Sequence, residues 1–228
     1  MKSFKADEVK KFYGKFPFPR DQVTSHQSLN KHRWILNSIP KHLLPKPNST
    51  IADVGCGTGE MSCFLSKYGF VTGFDFSPQS LAEAKSLAKR LKCKVKFIES
   101  DMTEEKNRGK FDYIFSIGVI HHIPDVNKSI ENIKKMMNLN SLFIVSVYNK
   151  WSRTFQFRKR KKEDMENISR YMDEYHHPFE ILMSRGQFKR FLERMGFKIV
   201  GEWRKMPDIL RLITGKGGMM TFCVRLKR

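Results

Sequence analysis

The sequence predicts an α/β fold in which helices cover both faces of a seven-stranded, mostly parallel sheet. Between residues 50 and 148, apolar strand-like segments alternate with amphipathic helical segments, an order typical of parallel sheets. The first strand runs directly into a glycine-rich turn at residues 55–59. Near the end of the chain, a glycine-rich link at 215–218 joins two strand-like segments, which predicts an antiparallel last strand.

The glycine-rich turn predicts a place where the backbone approaches a ligand closely. Its three glycines, Gly55, Gly57 and Gly59, alternate with other residues, and glycine tolerates positive φ without a Cβ in the way. The residues from Met61 onward are typical of a helix, whose free N–H groups would face that ligand. A dinucleotide site requires G-x-G-x-x-G, whereas this chain has G-x-G-x-G. The spacing therefore favours a different nucleoside ligand on a doubly wound, Rossmann-like domain.

Acidic side chains lie at or near the ends of three consecutive predicted strands. Asp53 precedes the glycine turn, Asp75 ends the second strand, and Asp101 follows the third. Ligands of open α/β sheets bind at the carboxyl ends of the strands. A carboxylate at the end of the second strand is placed to accept hydrogen bonds from ribose hydroxyls.

These motifs resemble class I S-adenosylmethionine-dependent methyltransferases, most closely the branch that includes ubiquinone and menaquinone C-methyltransferases. The resemblance covers about residues 50–148 and implies S-adenosylmethionine as cofactor and S-adenosylhomocysteine as product. It places the methionine end on the glycine turn, the ribose at the second strand and the adenine after the third. The residues so implied are Asp53, Gly55, Cys56, Gly57 and Gly59 for the first, Asp75, Phe76 and Ser77 for the second, Asp101 and Met102 for the third, and Ile117 on the fourth strand.

Two outlying segments also resemble a subset of this family. Residues 12–19 and 172–178 correspond to pieces that cover the cofactor and line the acceptor site. From this resemblance, we expect Tyr13 and Arg20 to reach the cofactor carboxylate. We also expect Tyr175 and His177 to face the acceptor. Alternatively, the first segment only excludes water, and the histidine of the second is packed and bonded to backbone.

His121 and His122 are the candidate catalytic residues, since they follow the fourth strand where the transferred methyl should emerge. An unperturbed imidazole has a pKa of about 6.5 and can take a proton from the acceptor. We favour His122 over His121. The alternative is that both histidines shape the pocket or hydrogen-bond the loop.

The positive charge is concentrated in the two flanks of the chain. The formal net charge is +20, with +7 in residues 1–49, +2 in 50–148 and +11 in 149–228. This distribution favours an anionic partner, such as RNA, a phosphorylated or nucleotide-linked small molecule, or an anionic membrane surface. The alternative is solvated lysines, and we favour solvation for the five consecutive cations at 158–162.

The 228 residues predict one domain with attachments. We expect an N-terminal helical lid or substrate segment (1–49), a cofactor-binding core (50–148), a basic insertion over the active site (149–183) and a C-terminal completion of the core (184–228). Predicted helices cover 3–15, 25–39, 79–91, 126–138 and 184–195, and the later strands cover 142–148, 197–203 and 220–226.

The chain is expected to be cytoplasmic and not an integral membrane protein. No apolar run is long enough to span a bilayer, the first residues lack the apolar region of a secretion signal, and the four cysteines are scattered. Scattered cysteines also argue against a zinc site, and we expect no metal. Cys56 is most simply a small residue that fits the turn.

The leading hypothesis is methyl transfer to an O, N or C nucleophile of a small, possibly anionic metabolite. An RNA (tRNA) methyltransferase that uses the basic flanks is the first alternative, and a non-catalytic cofactor-binding or partner-binding protein is the second. In enzymes that this chain resembles, an Asn-Pro-Pro-Tyr-type motif after the fourth strand holds the amino group of a base. No such motif follows the fourth strand here, so the resemblance disfavours methylation of amino groups on DNA or RNA bases. No cysteine lies in that loop, which disfavours a cysteine-linked mechanism at C5 of a pyrimidine. Asp112 and Asp125 alone are poor evidence for metal-dependent O-methylation.

Overall fold

A computed structural model describes residues 25–149, 181, 183–204 and 219–227, together with the isolated Lys11. Its central feature is one seven-stranded sheet with the strand order β3-β2-β1-β4-β5-β7-β6. The strands are β1 (Ser49–Val54), β2 (Gly69–Asp75), β3 (Val95–Glu99), β4 (Phe111–Ile117), β5 (Met137–Tyr148), β6 (Phe197–Arg204) and β7 (Met219–Leu226).

The first five strands are parallel, and β7 runs antiparallel between β5 and β6. The predicted fold class, including the antiparallel last strand, is therefore confirmed. The order reverses between β1 and β4, since β2 and β3 extend to one side of β1 and the later strands to the other. Such a reversal opens the crevice in which α/β folds bind ligands.

The described α-helices agree with the predicted ones in place and differ at their ends. They are α1 (Glu60–Leu65), α2 (Pro78–Arg90), α3 (Val126–Lys135) and α4 (Arg185–Arg194). Ser77 and Ser184 cap α2 and α4 as their sequences predict. The predicted helix 126–138 is wrong at its end, because Met137 already pairs with Phe111 and begins β5.

The sequence predicts an α-helix over residues 25–39, and the structure has a 3₁₀ helix at Ser28–Ser38 instead. No side chain caps its first turn, so tertiary contacts hold this unusually long 3₁₀ segment in place. One end packs on α1 and the other meets β6, where a Cβ on Gly201 would lie 2.2 Å from the Ser38 carbonyl oxygen. The predicted helix 3–15 falls outside the described residues, except for Lys11.

Two clusters of buried apolar side chains pack against the sheet. One includes Ile130, Phe188 and Phe197, and the other includes Leu29, Phe64 and Phe115. Interiors packed in this way fix the strand ends, and with them the loops that carry functional side chains. In the part of the chain that the structure describes, no helix is both long and apolar enough to cross a membrane.

Candidate functional site

The glycine turn after β1 has the backbone conformation that the sequence predicts. Gly55, Gly57 and Gly59 have φ values of +72°, +51° and +83°, which L side chains rarely adopt. The N–H groups of Gly55 and Cys56 donate to the carbonyl of Phe74 at 2.7 and 3.0 Å, so the turn is tied to the end of β2. A Cβ on Gly55 would lie 2.4 Å from a methyl carbon of Val119.

Asp53 lies at the end of β1, almost fully buried beneath this turn. Its Oδ2 accepts a hydrogen bond of 2.6 Å from the Ser62 hydroxyl. Burial raises the pKa of Asp53 from 3.8 to about 7, the nearby charge of Asp75 adds to the shift, and the Ser62 hydrogen bond opposes it. The carboxyl group therefore changes protonation state near neutral pH.

Asp75 joins the end of β2 to the glycine turn. Its Oδ2 accepts from the Gly57 N–H at 2.8 Å, and its Oδ1 accepts from the Ser77 N–H at 2.9 Å. Burial raises the pKa of Asp75, and these backbone hydrogen bonds oppose that shift. Each carboxylate oxygen keeps a second lone pair, so this acid can still accept hydroxyl donors of a ribose. Phe76 follows it and is partly buried.

Asp101 and Met102 occupy the loop after β3, and three other residues hold that loop. Asp101 Oδ1 accepts from the N–H and the hydroxyl of Thr103 at 2.8 and 2.7 Å. Arg108 donates to the Asp101 carbonyl at 2.6 Å, and Asn132 donates to the Met102 carbonyl at 2.9 Å. We did not predict the roles of Arg108 and Asn132, because each lies seven or more residues from the group it holds.

His121 and His122 lie in a one-turn 3₁₀ helix after β4 and are 3% and 6% exposed. Their ring centroids are 4.0 Å apart, and those of His121 and Tyr148 are 4.7 Å apart. Tyr148 ends β5 and also meets His122 edge-on at 6.1 Å. The structure thus assembles an aromatic cluster of His121, His122 and Tyr148, and Tyr148 is a residue that our sequence analysis missed.

The remaining predicted residues separate into buried ones and ones outside the described chain. Ile117 is partly buried at the end of β4. Cys56 is buried, and burial raises the pKa of its thiol well above the usual value, which fits a packed, unreactive side chain. Tyr13, Arg20, Tyr175 and His177, and the two segments that carry them, lie outside the described residues.

The acids that we weighed as metal ligands have other partners in the structure. Asp112 accepts from the N–H and hydroxyl of Thr50, and Asp125 caps α3 by accepting from the Lys128 N–H. Within the described ranges, no cluster of three or more His, Cys, Asp or Glu side chains could hold a metal ion.

The donor set fits the adenosyl amino-acid cofactor that the resemblance implies. Asp53 pairs with Gly73 in register, Asp75 pairs with Glu99, and the Ser100 N–H bonds to the Asp75 carbonyl. The three acids therefore follow neighbouring strands on one edge. Beside them, the positive-φ glycines leave the turn without side chains, so a ligand's atoms could lie close to the backbone there.

A family profile described as "Methyltransferase domain" matches residues 45–196. The chain belongs to this methyltransferase family. The match covers the glycine turn, the three strand-end acids and the aromatic cluster, and it confirms both the predicted family and the predicted enzyme class.

The chain is similar to a curated methyltransferase in sequence and to a solved methyltransferase in fold. The ubiquinone biosynthesis O-methyltransferase of Rickettsia canadensis is 28% identical over 123 residues, which cover 54% of this chain and 52% of that protein. The chain thus spans about half the length of this curated relative. Magnesium protoporphyrin IX methyltransferase of Synechocystis PCC 6803, solved with bound S-adenosylhomocysteine, has a TM-score of 0.67 at 15% identity, covering 98% of this chain and 100% of that one.

The same architecture also occurs in a solved enzyme named for a different reaction. The [4+2]-cyclase SpnF has a TM-score of 0.67 at 13% identity and covers 98% of this chain and 96% of its own. Likeness at this level shows the fold, and the reaction has to be argued from the site residues.

Proposed function

We propose that this methyltransferase uses S-adenosylmethionine to methylate a hydroxyl oxygen of a small molecule. The observation that carries the proposal is the buried cluster of His121, His122 and Tyr148 at the ends of β4 and β5. It lies across the order reversal from Asp75, on the side of the sheet where an acceptor would meet the cofactor. The curated relatives named as ubiquinone O-methyltransferases support an oxygen acceptor.

The chemistry of imidazole favours an acidic hydroxyl as the acceptor. A histidine acts as a general base toward hydroxyl groups, and it removes the proton of a phenol, whose pKa is near 10 as in tyrosine, more easily than that of an alkyl alcohol. Aromatic rings at edge-to-face distances also suit a flat acceptor. We therefore propose a phenolic small molecule, and the positive flanks are compatible with an additional acidic group on it.

Each group of residues has a separate task in the proposed reaction. The bound cofactor supplies a methyl group activated by a positively charged sulfur. The glycine turn would hold the amino-acid end of the cofactor and Asp75 its ribose, while Asp101 and Met102 would border the base. The cluster would orient the acceptor hydroxyl, and His122 would take the proton that this hydroxyl loses when the cofactor methylates its oxygen. Alignment of the two reactants supplies much of the rate gain, and proton removal adds a further factor.

Radiolabelled methyl transfer to a panel of acceptors tests this function. The panel contains simple phenols, phenols with a carboxylate, aliphatic alcohols, amines and bulk tRNA. We expect label in the phenol fractions, with His122→Asn reducing the rate and leaving cofactor binding unchanged. Label only in amines or in tRNA would contradict the proposal, and loss of tRNA labelling with added salt would then indicate an electrostatically held RNA.

A further inference from the structure

Glu60 is a buried acid that the reaction described above does not use. It follows Gly59 directly as the first residue of α1, and it is 2% exposed. Its Oε2 lies 2.8 Å from Lys31 Nζ and 3.1 Å from His32 Nε2, both on the first 3₁₀ helix. Its Oε1 is buried and has no hydrogen-bond partner. A buried carboxylate oxygen without a donor is unfavourable, and native proteins rarely retain one without a reason.

A purely structural ion pair does not account for this geometry. Among the described residues, Glu60 has the only carboxylate oxygen that is buried without a donor. By contrast, Asp75 receives a backbone N–H on each oxygen. If Glu60 served only to attach the 3₁₀ helix to α1, Lys31 and His32 could share both of its oxygens. Instead both side chains contact the same oxygen, Oε2, and Oε1 is left for another donor.

The position of Glu60 places that second oxygen near the ligand edge of the sheet. Ser62 faces the sheet, where it bonds to Asp53, while Glu60 and Phe64 share the helix face that meets His32. Glu60 therefore lies directly after the glycine turn, where α1 contacts the 3₁₀ helix. A donor that fills the site would belong to a ligand bound on that turn.

We propose that Glu60 Oε1 accepts a hydrogen bond from the ammonium group of the amino-acid end of the cofactor. That end carries an ammonium and a carboxylate on one carbon, and Glu60 and Lys31 offer the two opposite charges 2.8 Å apart. An ammonium has three donor hydrogens, and a charge-assisted bond would satisfy the carboxylate oxygen that lacks one. Lys31 and His32 hold the carboxylate in place. The inference rests on use of this cofactor and is independent of the acceptor.

Calorimetric binding of two ligands to two variants tests this assignment. The ligands are S-adenosylhomocysteine and its analogue in which hydrogen replaces the amino group. Glu60→Gln keeps the side chain's size and removes its charge. The matched control is Glu202→Gln, which removes a carboxylate paired with Arg185 on α4 and β6, away from the turn.

In the wild type, S-adenosylhomocysteine should bind about 10- to 100-fold more tightly than the analogue. Glu60→Gln should weaken S-adenosylhomocysteine by a similar factor and change the analogue's affinity less than about twofold, the error of such a comparison. Glu202→Gln should leave both affinities unchanged. The preference for the amino group should thus disappear in one variant and persist in the other.

Three outcomes would overturn the inference. Equal binding of both ligands by the wild type would show that the amino group has no charged partner, although the cofactor assignment would stand. Equal weakening of both ligands in Glu60→Gln would show that Glu60 only supports the fold. Binding of neither ligand by the wild type would remove the cofactor assignment as well. If Glu60→Gln does not fold, Glu60→Asp should replace it, with the same loss of preference expected.

Discussion

The two halves of the site differ in how they are built. At the ends of β1 and β2, acids contact groups that are near in sequence or belong to the glycine turn: Asp53 meets Ser62, and Asp75 meets Ser77 and Gly57. At the ends of β4 and β5, the cluster joins side chains 26 or more residues apart, as with His122 and Tyr148. The first half depends on backbone geometry and the second on packing between distant segments, so they should fail differently when mutated.

The largest effect should come from Gly55→Ala. The new Cβ would lie 2.4 Å from Val119 at a φ of +72°, so both crowding and backbone strain oppose it. We expect a loss of about 3 kcal/mol or more in the free energy of unfolding, measured by urea denaturation.

Gly109→Ala is the matched control for that substitution. Gly109 also has a positive φ, +82°, but a Cβ there meets nothing within 4 Å. Strain alone should cost about 1 to 2 kcal/mol. Equal losses of stability in the two variants would contradict the close contact between Gly55 and Val119 in the loop after β4.

His122→Asn should reduce the methyl-transfer rate about 100-fold or more, because it removes the proposed base from the acceptor half. The dissociation constant of S-adenosylhomocysteine should stay within about twofold of the wild-type value, a change too small to count as a lost contact. His121→Asn is the companion variant, and a larger rate loss there would move the base to His121. Unchanged rates in both would reduce the histidines to packing residues.

Asp75→Asn should weaken S-adenosylhomocysteine about 10- to 100-fold, because the amide cannot replace a carboxylate that accepts from the ligand and from two backbone N–H groups. Asp112→Asn is the control, since Asp112 makes equally short bonds to Thr50 at the opposite edge of the sheet. Similar losses in the two variants would indicate a general effect of acid removal instead of a ligand contact.

The last effect concerns Asp53 and pH. Burial raises its folded-state pKa from 3.8 to about 7, so the folded state holds a proton that the unfolded state releases between these values. Its contribution to stability is full below pH 3.8 and is lost as the pH rises through about 7. Relative to Asp53→Asn, the wild type should lose up to about 4 kcal/mol over that range, measured by urea denaturation at several pH values. Parallel pH curves would contradict the raised pKa.

The conformation of the glycine turn and the places of the strand-end acids could be predicted from sequence because their signals are local. Three glycines at fixed spacing permit the positive φ of a tight turn, and the place of an acid at a strand end can be predicted once the strand is recognised. Arg108, Asn132 and Tyr148 gave no such signal, because their partners are set by tertiary packing. The same limit explains the 3₁₀ helix at Ser28–Ser38, whose spacing suited an α-helix and whose contacts with α1 and β6 no local pattern contains.

The role of Glu60 shows the same limit inside a motif that was recognised. The sequence shows an acid after the third glycine, but the acid's partners, Lys31 and His32, come from a segment 28 or more residues earlier. Glu60 Oε1 is buried without a hydrogen-bond donor because these two segments pack together, and the sequence does not show that packing. The motif therefore predicts where the ligand binds, but it does not indicate every residue that we propose to contact the ligand.

The most direct test of the two-part site is calorimetric titration of S-adenosylhomocysteine into the wild type, Asp75→Asn and His122→Asn. We expect micromolar binding to the wild type, much weaker binding to Asp75→Asn and unchanged binding to His122→Asn. Equal loss in both variants, or no binding to the wild type, would contradict a cofactor half that works independently of the acceptor half.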